Sequence, residues 1–128
     1  MPSDGYIAAR QEWWERLVKR KECPDWQIVA FENADCLIEY WEPKVPDTQN
    51  RHDRDEVYVI VAGGADFDLN GDLHSVFAGD LIFVPAGMSH RFVRRSSDLA
   101  LWILLFGVNK RDAEDDSTTR RRLRHLLR

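Results

Sequence analysis

From Trp26 to Phe106 the chain breaks into short β-prone runs separated by turn residues, and this rhythm constrains the fold more than any other feature. Trp26 to Phe31 and Cys36 to Trp41 are two expected strands across a turn at Glu32-Asn33-Ala34-Asp35. Glu56 to Val61 is β-branched and aromatic, and it stops at Gly63-Gly64. Ala65 to Leu69 and Leu73 to Phe77 flank Asn70-Gly71, a dipeptide favoured in two-residue hairpins because both residues tolerate positive φ. Leu81 to Val84, His90 to Arg94 and Leu99 to Phe106 complete the series, with turns at Ala78-Gly79-Asp80 and Pro85-Ala86-Gly87. Strands this short and regular predict an antiparallel sandwich or barrel.

The flanks read differently. Tyr6 to Lys21 has helical periodicity, with Tyr6, Ile7, Trp13, Trp14, Leu17 and Val18 on one broad face. Pro24 bars its continuation. Such a helix closes one end of the domain or packs on a second subunit, and a homodimer is expected. After Gly107, acidic residues from Asp112 to Asp116 precede Arg120, Arg121, Arg122, Arg124 and Arg128. Leu123, Leu126 and Leu127 lie among them at helical spacing, and acid-first, base-last order suits a helix dipole. The expected division is a helical segment over 1–25, a β domain over 26–107, and a charged tail with a short helix over 108–128.

Composition removes some functions. A net charge of −4 gives no case for a nucleic-acid partner. No apolar run has the length of a membrane span, and the start lacks a signal-peptide pattern, so no membrane association and a cytoplasmic location are expected. Cys23 and Cys36 have neither a CxxC spacing nor the density of a disulfide scaffold, and they read as free thiols.

Two stretches carry chemistry. The first runs Asn50-Arg51-His52-Asp53-Arg54-Asp55-Glu56, and the second ends Pro85-Ala86-Gly87-Met88-Ser89-His90. On one flat strand His52 and Glu56 would lie about 13 Å apart, while metal ligands sit about 2 Å from their ion. The chain must therefore turn at Asp53-Arg54-Asp55, so that His52 ends one strand and Glu56 opens the next. Period two then turns Tyr58 and Ile60 inward with Glu56, and Phe92 and Arg94 inward with His90. Trp41 and Trp102 are further wall candidates, and Arg94 would meet an anionic group. Two imidazoles and a carboxylate suit a divalent transition metal with open positions. The plain alternative is a hydrogen-bonded core histidine and a solvated glutamate on a rim. His74 and His125 are read in that plain way.

The joint spacing resembles the cupin superfamily, whose first motif is Gly, five residues, His-x-His, three or four residues, Glu, six residues, Gly. His52, Glu56 and Gly63 match it. Its second motif is Gly, five residues, Pro-x-Gly, two residues, His, three residues, Asn, and Gly79, Pro85, Gly87 and His90 match. Lys44 stands for the opening glycine, Arg94 for the closing asparagine and Asn50 for the first metal-binding histidine. The resemblance implies an all-β, double-stranded β-helix (jelly-roll) barrel, with an N-terminal helix and a short C-terminal helix added. It also implies a site for Fe, Mn, Ni or Zn held by His52, Glu56 and His90. Asn50 leaves three forms of that site open: three ligands, a set completed by the Asn50 oxygen, or a lost metal. The implied function is a metal-dependent enzyme of dioxygenase, isomerase or lyase type acting on a small oxygenated molecule. Glu56 and Tyr58 would handle protons there, in a pocket of Trp41, Tyr58, Phe92, Arg94 and Trp102. The alternative is a non-catalytic cupin that binds or senses a small molecule through a degenerate site.

Overall fold

The computed structural model describes residues 5–19, 26–44, 47 and 53–107. Within them the order is α1 (Arg10–Lys19), β1 (Gln27–Glu32), β2 (Cys36–Trp41), β3 (Asp55–Ala62), β4 (Gly64–Leu69), β5 (Asp72–Phe77), β6 (Leu81–Val84), β7 (His90–Arg95) and β8 (Ala100–Phe106). The strands form a five-stranded sheet, β1-β2-β8-β3-β6, and a three-stranded sheet, β5-β4-β7. All pairings are antiparallel. The expected C-terminal helix lies outside the described residues.

The expected barrel is corrected by this topology: the described residues form two sheets that do not close into a barrel. Among the described residues no strand of one sheet is hydrogen-bonded to a strand of the other. On one side β6 is four residues long and stops at Pro85, which has no amide to donate. A groove of 340 Å³ separates β6 from β5, lined by Phe67, His74, Val76, Ile82 and Phe83 among others. On the other side the Phe92 amide of edge strand β7 donates to the Asp47 carboxylate (2.8 Å to Oδ2). A side chain thus takes an amide that strand pairing would take in a barrel.

The five-stranded sheet is apolar on both faces. Its inner face packs against the smaller sheet in a core that includes Trp41, Tyr58, Ile60, Phe67, Phe92, Leu101 and Ile103. Its outer face meets α1, where Trp13 and Leu17 bury against Ile28, Tyr40 and Ala100. The helix therefore covers its own domain. Its ring contacts are close, with Trp13 centroids 4.6 Å from Tyr40 and 5.2 Å from Trp102. Beyond the helix, Leu81, Phe83 and Phe106 remain exposed.

Gly63 is the corner where the chain leaves one sheet for the other. Its φ is 73°, and a Cβ there would stand 2.7 Å from Asp98 Oδ1 and 2.9 Å from the Leu99 Cα. The conformation and the backbone contact both exclude a side chain. Gly71, in the Asn70-Gly71 hairpin, has a φ of 92° but open space around it. Gly63→Ala should therefore cost about 2–4 kcal/mol and Gly71→Ala about 1 kcal/mol, because only the first adds a clash to backbone strain. Urea denaturation midpoints measure both, and equal losses would mean that the close approach at Gly63 carries no weight.

Candidate functional site

Strand β3 alternates as the sequence pattern requires, with Glu56, Tyr58 and Ile60 buried and their neighbours only partly covered. Strand β7 buries His90 and Phe92 on the facing sheet. Glu56 and His90 therefore meet between the sheets, with His90 Nε2 3.0 Å from Glu56 Oε1. Glu56 is 2% exposed, His90 1% and Tyr58 0%. Rings surround the pair: Tyr58 and Phe67 centroids lie 6.0 and 6.2 Å from that of His90, and Phe67 and Phe92 lie 4.7 Å apart.

Local structure holds both partners in place. The Pro85–Met88 turn closes through Met88 N to the Pro85 carbonyl at 3.1 Å. Its Ala86 amide donates to Asp55 Oδ1 at 2.9 Å, which fastens the turn leading to His90 to the residue beside Glu56. The Asn70 amide donates to the Ser89 carbonyl at 2.9 Å, so the β4–β5 hairpin braces the same approach.

Both ring nitrogens of His90 face acceptors. Nδ1 donates to the Met88 carbonyl at 2.9 Å, and Nε2 faces the Glu56 carboxylate. The imidazolium suits both, donating to the Met88 carbonyl and pairing with Glu56 by charge, since Nε2 and Oε1 lie close without the geometry of a well-formed hydrogen bond. Burial works against that charge, but the Glu56 contact and the Met88 carbonyl outweigh it, and the His90 pKa lies above the ordinary 6.5. For Tyr58, burial first and then the charges of Glu56 and Asp47 raise the phenol well above its ordinary 10, so it stays a neutral donor. Glu56 acts on Tyr58 by its charge first and, to a smaller extent, as a neighbouring acceptor, although the buried Tyr58 Oη makes no well-formed hydrogen bond among the described residues.

The remaining expected residues separate. Trp41 lies on the inner face, its ring 6.0 Å from Phe92. Trp102 lies on the outer face under α1, 5.1 Å from Tyr40. Arg94 turns away from the interior, its side chain 73% exposed and its Nε 2.8 Å from Asp66. The reason is a bulge: Phe67 pairs with Phe92 and Asp66 with Arg94, so β7 advances two residues while β4 advances one. His52 and Asn50 lie outside the described residues.

The expected metal centre is likewise corrected. Among the described residues no group of three or more His, Cys, Asp or Glu side chains is placed to hold a metal ion. Glu56 and His90 supply two donors, and these face each other. The described donors therefore do not fit the three-ligand centre.

Sequence reasoning missed three polar residues. Glu39 shares the inner face with Tyr58, since both register with Ile103, and it accepts a 2.8 Å hydrogen bond from Gln27. It is the lone charge in the apolar run of β2, a signal that was readable. Asp55 reads only as turn material, and Asp47 carries no local signal.

A family profile described as the cupin domain matches residues 38–106, more than half of the chain. The chain belongs to the cupin family. One curated relative, an uncharacterised protein of Streptomyces coelicolor, is 36% identical over 58 residues, covering 45% of this cupin and 55% of the relative. An acireductone dioxygenase of Geobacillus thermodenitrificans is 30% identical over 106 residues, covering 78% of this chain and 58% of the relative. This cupin thus spans a little over half the length of these curated relatives. Among solved structures, KdgF from a Halomonas species matches with a TM-score of 0.59 at 19% identity, over 67% of this chain and 82% of that one. A DMSP lyase from Ruegeria pomeroyi matches at 0.58 and 19%, over 68% and 49%. A Streptomyces nucleoside dehydratase matches at 0.53 and 20%, over 64% and 68%. These structures share the fold. No described helix is long and apolar enough to cross a membrane.

The His90 shift has a defined pH signature. A pKa raised on folding stabilises fully below the unfolded value, here 6.5, and that stability is lost as pH rises through the higher folded value. The melting temperature should therefore fall as pH rises above 6.5 and through the higher folded value, and His90→Gln should remove that part of the slope. Parallel slopes in the two proteins would show that His90 is not charged in the fold.

Proposed function

We propose that this cupin domain binds a small oxygenated molecule between its sheets, against Glu56, His90 and Tyr58, with Trp41 and Phe92 as an apolar wall. The observation that carries this reading is the buried carboxylate–imidazole pair at 3.0 Å, set in a cage of aromatic rings. Removing such charges from water costs several kcal/mol per ion. Groups with environments of this kind collect at functional sites. The relatives' and neighbours' names support a small-molecule ligand, since they include an acireductone dioxygenase, a DMSP lyase and a dehydratase studied with uridine.

A second reading, acid–base catalysis of lyase or isomerase type, is favoured by the presence of an acid and a base in one contact. The Glu56 carboxylate would take a proton from a carbon beside a carbonyl. The C–H electron pair would form the new C=C bond as a β C–O bond breaks. The departing oxygen would leave as water after taking a proton from His90 or Tyr58. A base or acid so placed contributes about 10²–10⁴-fold to rate.

Screening small oxygenated compounds by thermal shift and native mass spectrometry tests the first reading. A true ligand at a hundred times its Kd should add about 2.7 kcal/mol to stability, and Glu56→Gln should abolish the gain. Ligands that stabilise wild type, Glu56→Gln and His90→Gln equally would refute binding at this pair. Following each ligand by NMR tests catalysis. Turnover that drops by about 10²–10⁴-fold in Glu56→Gln supports it, while an unchanged ligand leaves the domain a binding module.

A further inference from the structure

Two donors in the inter-sheet core make no well-formed hydrogen bond among the described residues, although the Glu56 carboxylate lies beside one of them, Tyr58. Trp41 Nε1 and Tyr58 Oη are sealed from solvent, and neither has a hydrogen-bond partner among the described residues. A buried donor left without a partner costs about 1–3 kcal/mol, far more than its loss to a phenylalanine would. The chain handles a scaffold phenol differently. On the outer face, buried Tyr40 donates its hydroxyl to Glu42 Oε2 at 2.9 Å.

The two donors also share a neighbour. The Trp41 and Tyr58 rings both stand edge-on to Phe92, at 6.0 Å and 67° and at 5.3 Å and 60°. The Tyr58 ring lies in addition 6.0 Å from that of His90, so the Tyr58 end of this pair of donors borders the ion pair. A carbonyl oxygen carries two lone pairs and brings no proton of its own, so it can accept from both groups and leave nothing unsatisfied.

We propose that Trp41 and Tyr58 are a two-donor clamp for a carbonyl oxygen, which makes the ligand a small carbonyl compound. This rests on the inter-sheet site proposed above. Phe92 supplies the apolar surface beneath the carbonyl-bearing part, and Glu56 and His90 meet the polar groups next to it.

The test uses ¹⁵N-labelled protein, whose five tryptophans give separate indole N–H signals. Trp41→Phe identifies the Trp41 signal by its disappearance. The probes are cyclohexanone and methylenecyclohexane, which share a shape and differ by the oxygen. Cyclohexanone should move the Trp41 indole proton downfield, and methylenecyclohexane should not. Tyr58→Phe, which keeps the ring, should weaken cyclohexanone by about tenfold. Equal shifts with both probes, or unchanged affinity in Tyr58→Phe, would overturn the clamp while leaving the inter-sheet site standing. If neither probe perturbs Trp41 or the Phe92 amide, binding between the sheets fails, and the clamp with it.

Discussion

The contact between Glu56 and His90 ties together two sheets that no hydrogen-bonded ladder joins among the described residues. Glu56 sits on β3 of the larger sheet and His90 on β7 of the smaller one. Their 3.0 Å contact is thus a bridge across the sandwich as well as a polar site. Two charges in an apolar interior are tolerable only where geometry is tight and the remaining hydrogen-bonding capacity is used. The Met88 carbonyl at Nδ1, the Asp55–Ala86 clasp and the Asn70–Ser89 bond supply that tightness from three directions. Much of the local structure around residues 85–90 follows from the need to deliver one imidazole without slack.

The larger sheet explains why the rest of the chain is so apolar. Strand β8 is nearly continuous hydrophobic sequence, Ala-Leu-Trp-Ile-Leu-Leu-Phe, because it is covered on both faces. Leu101 and Ile103 face the smaller sheet, while Ala100 and Trp102 face α1. The two faces do different jobs. The outer one is a dense aromatic patch of Trp13, Tyr40 and Trp102. The inner one mixes aliphatic packing with the polar pair.

This two-sided burial also sets what could be read from sequence. Each of the eight strands was legible, because period two and turn chemistry are local, and Asn70-Gly71 marked its hairpin outright. The inward facing of Glu56, Tyr58, His90 and Phe92 followed from the same rule. Arg94 escaped it because a bulge resets the alternation, and nothing in His90–Arg95 announces a bulge. Trp41 and Trp102 could not be told apart, since alternation carries no sign in a sheet apolar on both faces. Closure was illegible for a different reason: whether edge strands meet depends on curvature and on long-range contacts such as Asp47 with Phe92, 45 residues apart. The ligand count failed in the same way, because spacing along the chain brings Glu56 and His90 together without saying what else arrives.

The open seam and the sealed pair belong together. Phe67 packs on Tyr58 and near His90 inside, and it also lines the groove between β5 and β6 outside. In a closed barrel a β5–β6 ladder would cover that wall. Here Phe67 is common to the groove wall and to the cage of rings around the ion pair, beside Val76 and Ile82 of the same core. Sheets that share no ladder among the described residues must be held by side chains, and at this seam Phe67 is one that does so, packing on Tyr58 of the larger sheet from its own place on the smaller one.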